Sequence, residues 1–354
     1  MDQYFISSTA FTNFVEKLLA DSTVIAPVEA FGALHLEEIT PDNVGQIKLQ
    51  GIRTVESFKS HFFKLIEKVS KYFGTDQSPQ GKKLTLIGLR SCDLEALAIQ
   101  DKVFGEGDFQ DQFYLANREN VTIISADCTD AGETCFCPAV NVKAYPTKSF
   151  DLNLTPLSNG YVVEAGSDKG RKLIDGNHDL FMTATKMSFE GKDKVRKDVE
   201  NIFIERAKQY APPGKKPVMP DLAEIHKRNL ENKVWKKLTK DCVECSACNF
   251  ICPTCSCFLL LDQEKNKDSE RYKVWDACLK TGYAKVAGGA NPRGYLHQRL
   301  QNRYHCKFDY SFDRLGRYTC VGCGRCIDGC AGNIDMRQVF MELAKQAVLT
   351  AKLE

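Results

Sequence analysis

The chain lacks the features that mark three common classes of protein. Its 354 residues contain no run of about 18 uncharged apolar residues, so no membrane-spanning helix is expected. Its 48 Lys and Arg nearly balance its 46 Asp and Glu, and a net charge of +2 argues against a nucleic-acid-binding domain. The start, Met1-Asp2-Gln3-Tyr4, has no basic segment followed by an apolar core, which predicts no secretory signal and a cytoplasmic location.

Cysteine is missing from two long stretches of the chain. Residues 1–91 and 138–241 contain none, so the sixteen cysteines fall into an N-terminal group and a C-terminal group. A chain of this length does not need disulfides to be stable. In a reducing compartment, clustered thiols indicate metal or redox chemistry. The distribution therefore predicts an N-terminal domain with a small thiol group and a metal-rich C-terminal domain.

Strand and helix signals in the first half predict a parallel α/β unit. The apolar runs 84–89 and 121–125 are typical of strands, and a helix with Asp93 as its N-cap is expected between them. Cys92 and Cys128 would then lie beyond the carboxyl ends of two strands, where such sheets bind ligands. No Gly-x-Gly-x-x-Gly motif opens this unit, so flavin and nicotinamide are expected to be bound elsewhere.

The sequence predicts two domains separated by a linker rich in proline and glycine. Residues 1–215 are expected to form the α/β domain, and residues 221–354 an α-helical, dicluster ferredoxin-like domain with an insertion at about 258–318. Apolar residues at helical spacing predict one helix over residues 55–73. They predict another over residues 334–353, which is expected to pack on the ferredoxin core.

Two runs of four cysteines carry the spacing of bacterial ferredoxins. They are Cys242-x2-Cys245-x2-Cys248-x3-Cys252-Pro253 and Cys320-x2-Cys323-x2-Cys326-x3-Cys330. In this spacing three thiolates wrap one cubane, and the fourth binds the neighbouring cubane. We therefore expect two [4Fe–4S] clusters. The predicted ligands are a first cysteine set, Cys242, Cys245, Cys248 and Cys330, and a second cysteine set, Cys252, Cys320, Cys323 and Cys326.

Glycine distinguishes the two runs. Gly322 and Gly324 flank Cys323, where the backbone must come close to sulfur, whereas Glu244 and Ser246 occupy the equivalent places in the first run. Pairs of the type Cys-x2-Cys also bind zinc, and two zinc sites are the alternative interpretation. Iron–sulfur clusters are favoured because each run offers four thiols in one unbroken iron–sulfur spacing.

The N-terminal thiols are Cys92, Cys128, Cys135 and Cys137. A third [4Fe–4S] cluster is one interpretation, because four thiols converge on one sheet edge and Arg90 would lower the pKa of the neighbouring Cys92 thiol. The alternative is that they are buried structural thiols, since free cysteine is among the most buried residue types. Their spacing matches no standard cluster-binding run, and both interpretations stay open.

The insertion thiols are Cys255, Cys257, Cys278 and Cys306. Core packing around the first motif is the favoured interpretation, and a further metal site built from them is the alternative. The same segment carries basic residues and two histidines, which predict either a solvated helix face or a docking patch for an acidic partner. The residues are Arg293, His297, Arg299, Arg303, His305 and Lys307.

These motifs together resemble those of a known family of dicluster iron–sulfur subunits. The C-terminal segments that carry the resemblance are Cys252-Pro-Thr-Cys-Ser-Cys257, Trp275-Asp-Ala-Cys278, Ala287-Gly-Gly-Ala-Asn-Pro-Arg293 and Cys320-Val-Gly-Cys-Gly-Arg-Cys326. The N-terminal segments are Gly88-Leu-Arg-Ser-Cys-Asp-Leu94 and Asp127-Cys-Thr with Cys135-Phe-Cys137. The family includes the β subunit of cytoplasmic nickel–iron (sulf)hydrogenases and the A subunit of anaerobic sulfite reductase. The sequence departs from the family pattern at Ser91, Cys306 and Ala331, which stand where proline, histidine and proline are usual.

The resemblance implies an electron-transfer subunit with no catalytic residues of its own. Such a subunit relays electrons between a flavoprotein partner that handles NAD(P)H and a catalytic oxidoreductase subunit. Two alternatives stay open: a self-contained reductase with a catalytic N-terminal cluster, and a cluster-stabilised scaffold without electron flow.

Overall fold

The computed structural model describes residues 3–72, 81–208, 224, 233–265 and 268–350. The chain forms two compact units, and neither is one continuous stretch of sequence. The first unit comprises Met1–Phe63 and Ser78–Glu205, and the second comprises Lys64–Gln77 and Arg206–Glu354. The boundary predicted between residues 215 and 221 lies outside the described residues. None of the described helices is both long enough and apolar enough to cross a membrane.

Both units contain strands and helices. In chain order the described strands are β1 (Gln3–Ser7), β2 (Thr23–Ala30), β3 (Ala33–Ile39), β4 (Ile66–Lys71), β5 (Leu84–Leu89), β6 (Val121–Ala126), β7 (Leu152–Leu157), β8 (Gly160–Ala165), β9 (Met182–Thr183), β10 (Phe258–Lys265) and β11 (Asp268–Trp275). The described α-helices are α1 (Ser8–Leu19), α2 (Lys59–Phe62), α3 (Ser91–Gly105), α4 (Gln112–Glu119), α5 (Asp168–Asp175), α6 (Lys186–Ala207), α7 (Val234–Leu238), α8 (Ala247–Phe250), α9 (Leu296–Phe308), α10 (Tyr310–Leu315), α11 (Arg325–Asp328) and α12 (Met336–Thr350).

The first unit is built on an eight-stranded mixed sheet in the order β3-β2-β5-β6-β7-β8-β1-β9. The central strands β2, β5, β6 and β7 run parallel, and the outer pairs are antiparallel. β5 and β6 are buried almost throughout, as expected for apolar runs in the middle of a parallel sheet. The α/β prediction for the N-terminal region is therefore confirmed.

An irregularity near the end of β5 precedes the first cysteine of the chain. Gly88 has φ +86°, and a Cβ there would come within 2.6 Å of the Pro27 ring, so only glycine fits this position. α3 then begins at Ser91, one turn earlier than an Asp93 N-cap would allow, so that expectation was wrong. Asp93 instead reaches back, and its carboxylate accepts a hydrogen bond of 3.1 Å from the Arg90 N–H. Cys92 consequently lies in the first turn of the helix.

A buried ionic network fixes the carboxyl end of β6, just before Cys128. The Asp127 carboxylate has no exposed surface and accepts hydrogen bonds from Asn153 Nδ2 at 2.9 Å and Thr155 Oγ1 at 2.7 Å. Arg196 of α6 completes it, with its Nε 2.7 Å from Asp127 Oδ2 and its guanidinium stacked over Tyr145. Because every polar atom of the carboxylate is partnered, this charge can be buried and the strand end is fixed.

The second unit contains a sheet in the order β10-β11-β4, in which all pairs are antiparallel. The predicted helix over residues 55–73 was wrong, because the chain forms only the short α2 there and then extends as β4. β4 is fixed by partners about 200 residues away, including the ion pair of Lys273 Nζ with Glu67 Oε2 at 2.7 Å. Local apolar spacing cannot reveal such a distant partner. The insertion expected to be part of a helical domain therefore also contributes a hairpin.

Three helices form the apolar core of the second unit. Tyr304 and Phe308 of α9 contact Phe340 of α12, with ring centroids 5.5 and 4.6 Å apart, and Trp235 of α7 packs on Tyr304. Phe340 and Leu343 are almost completely buried, so α12 packs by its apolar face on the unit that carries the cysteine motifs. The packing predicted for the C-terminal helix is confirmed over Met336–Thr350, and residues 351–353 of the predicted helix lie outside the described residues.

Candidate metal centres

The two cysteine loops share one backbone conformation despite their different residues. Glu244 and Ser246 have φ of +54° and +61°, and Gly322 and Gly324 have +64° and +75°. Non-glycine residues in this left-handed region cost of order 1 kcal/mol each, so the surrounding structure must hold the first loop in place. Arg299 does so: its Nη2 lies 2.7 Å from Glu244 Oε2, and its other nitrogens bond backbone carbonyls.

All four members of the first cysteine set line one cavity, together with Arg303 and Tyr304. Cys330 comes from the other motif. The chain just after it passes close to the backbone beside Cys242, and only glycine fits there, because a Cβ at Gly332 would lie 2.0 Å from the Asp241 carbonyl oxygen. The Ile334 N–H lies 3.3 Å from the Cys330 sulfur, so the backbone supplies a donor to that thiol. Cys326 of the second set reaches the same cavity, so five thiols line it, and the charge of Cys330 acts on both Cys242 and Cys248. The first cysteine set provides the four thiolates that one cubane takes.

The four cysteines of the second set are close enough for their charges to act on one another. Burial raises the pKa of Cys320, and the charges of the other three members raise it further. Burial likewise raises the pKa of Cys326 to about 12, against a lowering by the nearby Arg303. The Gly322 N–H lies 3.5 Å from the Cys320 sulfur. Thiols in such a place remain protonated unless a cation replaces the protons, as metal ligation does.

Neither set is arranged for a single metal ion. Within the part of the chain that the structure describes, no group of three or more His, Cys, Asp or Glu side chains has the compact arrangement that one ion needs. A cubane distributes its four thiolates over four irons, so its ligands surround the cluster rather than meet at one point.

Two buried cations lie among the thiols, and the sequence did not reveal them. Arg303 is 3% exposed, and its Nη1 lies 3.4 Å from the Cys255 sulfur. Burial alone would lower the pKa of Arg303, but the charges of Cys248, Cys255, Cys326 and Cys252 raise it well above the usual value. The guanidinium therefore interacts with both cysteine sets.

The second buried cation is Lys307, one helical turn further along α9. It is 2% exposed, and its Nζ donates to Thr254 Oγ1 at 2.7 Å. Thr254 Oγ1 in turn lies 3.3 Å from the Cys252 sulfur. Burial would lower the pKa of Lys307, yet Cys252 and Cys255 raise it. This positive charge is therefore directed at the second cysteine set.

These positions correct both interpretations of the basic residues, as a solvated helix face and as a docking patch for an acidic partner. Arg299, Arg303 and Lys307 are all buried, and His305 pairs with Asp309 at 2.9 Å. Their charges are used inside the unit, against Glu244, Asp309 and the thiols, so they cannot form a common exposed surface. A helix with basic residues facing solvent and a helix with basic residues buried against thiolates can have the same spacing of Lys and Arg in the sequence.

Two of the N-terminal thiols, Cys92 and Cys128, follow the carboxyl ends of β5 and β6, as the strand signals predict. Cys92 and Cys137 are buried, and Cys128 and Cys135 are half-buried. Burial raises the pKa of Cys128 to about 12, while the Arg90 charge lowers it and that of Cys135 raises it. Arg90 thus acts on Cys128. Gly132 allows the loop to close, because a Cβ there would lie 3.0 Å from the Cys135 sulfur.

Comparison with known proteins extends these observations over nearly the whole chain. A sequence profile of the 4Fe-4S dicluster domain matches residues 241–334, which include both motifs. The β subunit of sulfhydrogenase 2 from Pyrococcus furiosus is 30% identical over 343 residues, covering 96% of this chain and 97% of that subunit. The β subunit of the F420-dependent formate dehydrogenase from Methanocaldococcus jannaschii is 24% identical over 178 residues, covering 50% of this chain and 37% of that subunit.

Proposed function

The chain belongs to the dicluster iron–sulfur subunit family of the sulfhydrogenase β subunit, and from this premise we propose that it relays electrons within a cytoplasmic oxidoreductase complex. One partner would be a flavoprotein that takes electrons from NAD(P)H. The other would be a catalytic subunit of the hydrogenase, formate dehydrogenase or sulfite reductase type. The chain would carry electrons one at a time between them and perform no substrate chemistry itself.

The observation that carries this proposal is the exchange of a cysteine between the two motifs. Cys326 and Cys330 of the second motif line one cavity with Cys242, Cys245 and Cys248 of the first, and the charge of Cys330 acts on Cys242 and Cys248. The exchange supports a ferredoxin-like arrangement of two neighbouring [4Fe–4S] clusters, the first ligated by the first cysteine set and the second by the second. The bound clusters would supply one-electron redox chemistry. The protein's own residues would position the thiolates, exclude water and set the charge around them.

Relay activity is testable with the full complex. Anaerobically purified complex given NAD(P)H should show bleaching of the iron–sulfur absorption. The isolated full-length chain should bleach with dithionite but not with NAD(P)H, because it contains no nicotinamide motif. A complex carrying Cys323→Ser should assemble and keep NAD(P)H-dependent flavin reduction, yet lose electron delivery to the catalytic subunit. Direct reduction of the isolated chain by NAD(P)H, or a substrate-dependent spectral change in it, would contradict the relay and favour a self-contained reductase.

We further propose that the N-terminal thiols hold a third [4Fe–4S] cluster. In the full-length chain, Cys128→Ser or Cys135→Ser should lower the iron content by up to about four atoms, the number in one cubane. The matched control is Asp130→Asn, an exposed neighbour of Cys128 that should retain all iron. Full iron content in both cysteine variants, with an unchanged electron paramagnetic resonance (EPR) spectrum, would show that these thiols are structural.

A further inference from the structure

The insertion thiols belong to neither motif, and the hairpin of the second unit brings two of them together. Cys257 immediately precedes β10, and Cys278 follows the end of β11 by three residues. Phe258 and Trp275 face each other at the base of this hairpin, and the Asp276 N–H donates to the Cys257 carbonyl oxygen at 2.9 Å. The two cysteines therefore leave the same end of one antiparallel pair.

A single buried amide connects Cys278 with Cys255. Asn249 is 3% exposed, and its Nδ2 lies 3.1 Å from the Cys278 sulfur and 3.8 Å from the Cys255 sulfur. A donor between two sulfurs is the kind of hydrogen bond that orients and stabilises ligating thiolates. A cysteine side chain that only filled space would not need it.

Helix α9 adds the fourth thiol. Cys306 lies one turn beyond Arg303, whose guanidinium is 3.4 Å from the Cys255 sulfur. Burial raises the pKa of Cys257, and Cys306 raises it further. Burial also raises the pKa of Cys278 to about 11, with further contributions from Cys257 and Cys306.

A tyrosine hydroxyl lies beside the same thiols. The Tyr283 hydroxyl oxygen is 3.9 Å from the Cys257 sulfur. Burial raises the pKa of Tyr283, and the charges of Cys257, Cys278 and Cys306 raise it further. Tyr283 thus interacts with three of the insertion thiols at once.

We propose that Cys255, Cys257, Cys278 and Cys306 ligate an additional iron–sulfur cluster, separate from those of the two motifs. The four thiols come from three elements, and Asn249, Tyr283 and Arg303 place hydrogen-bond donors beside three of them. Cys306 is exposed, so this cluster would reach the surface of the second unit, where it can exchange electrons with a partner.

The test uses the full-length chain purified without oxygen. Cys306→Ser is the decisive variant, because its exposed side chain can be replaced without disturbing the core. Loss of its thiolate should remove the cluster or convert it to a three-iron form, which lowers the iron content by roughly one to four atoms relative to the parent chain. Cys278→Ser should give the same loss. The EPR signals of the two motif clusters should persist in both variants.

Ser256→Ala is the matched control, since it lies between two of the insertion thiols and offers no thiolate. It should keep the iron and sulfide content of the parent chain. The difference between parent and variant does not depend on how many other clusters the chain holds. Unchanged iron and unchanged EPR in Cys306→Ser, or loss of one zinc ion in place of iron, would overturn the proposal.

Discussion

Replacing Cys330 with alanine should remove the cluster bound by Cys242, Cys245 and Cys248 and leave the other motif cluster in place. Cys330 belongs to the second motif, but it lines the cavity of the first cysteine set. Its loss should lower the iron content by up to about four atoms per chain. Iron analysis and EPR of the reduced protein measure the loss, and the expected result is disappearance of one of the two interacting signals.

Cys320→Ala provides the mirror experiment. It should spare the first cluster and remove the second, because Cys320 interacts with Cys323, Cys326 and Cys252. If Cys330→Ala instead abolished the second cluster and spared the first, the fourth ligands would not be exchanged and the assignment would be wrong. Zinc in the amount expected for the thiols, in place of about eight irons for the two motif clusters, would contradict iron–sulfur binding altogether.

Replacing Arg303 with methionine should lower the reduction potentials of both motif clusters. The guanidinium is buried among thiols of both sets, and a cation stabilises the more negative, reduced cluster. At an effective dielectric constant of about 20, one charge some 8 Å away contributes ~2 kcal/mol. For a one-electron couple this is on the order of 90 mV, since 59 mV corresponds to a tenfold change. A redox titration followed by EPR measures both shifts.

The variant Lys307→Met should change the reduction potential of one motif cluster and not of the other, and the same redox titration measures both potentials. Lys307 interacts with Cys252 and, through Thr254, is directed at the second cysteine set, so only the second cluster should shift. Lys285→Met, which removes an exposed lysine of the same unit, should leave both potentials unchanged because water screens its charge. Equal potentials in the parent chain and Arg303→Met, with both clusters present, would exclude charge compensation by Arg303.

The parts of the protein that could be predicted from sequence are those fixed by local spacing. The cysteine motifs, the parallel strands around residues 84–89 and 121–126 and the C-terminal helix all follow from patterns within a few residues. The motif-based resemblance to the dicluster subunit family is also confirmed, by a relative that matches nearly the full length.

The remaining features of the fold and of the candidate site depend on contacts between residues that are far apart in the sequence. Arg303 and Lys307 belong to a polar, basic stretch whose spacing is that of a solvated helix, and only the fold places their charges against thiols. Glu67 occupies a stretch with helical apolar spacing, but it lies in a strand because Lys273 and β11 bind it there. Neither pairing has a signal in the residues immediately around it.

The position of β4 has a consequence for any protein that is cut or expressed in pieces. β4 lies early in the chain but is a strand of the second unit, paired with β11 from Ile66 to Lys71. A break in the peptide backbone between residues 206 and 233 would leave the N-terminal fragment attached by this strand. Two separately translated halves would have to associate by strand complementation, as a split reporter does. A C-terminal half made alone would expose the backbone of β11 and invite edge-to-edge aggregation.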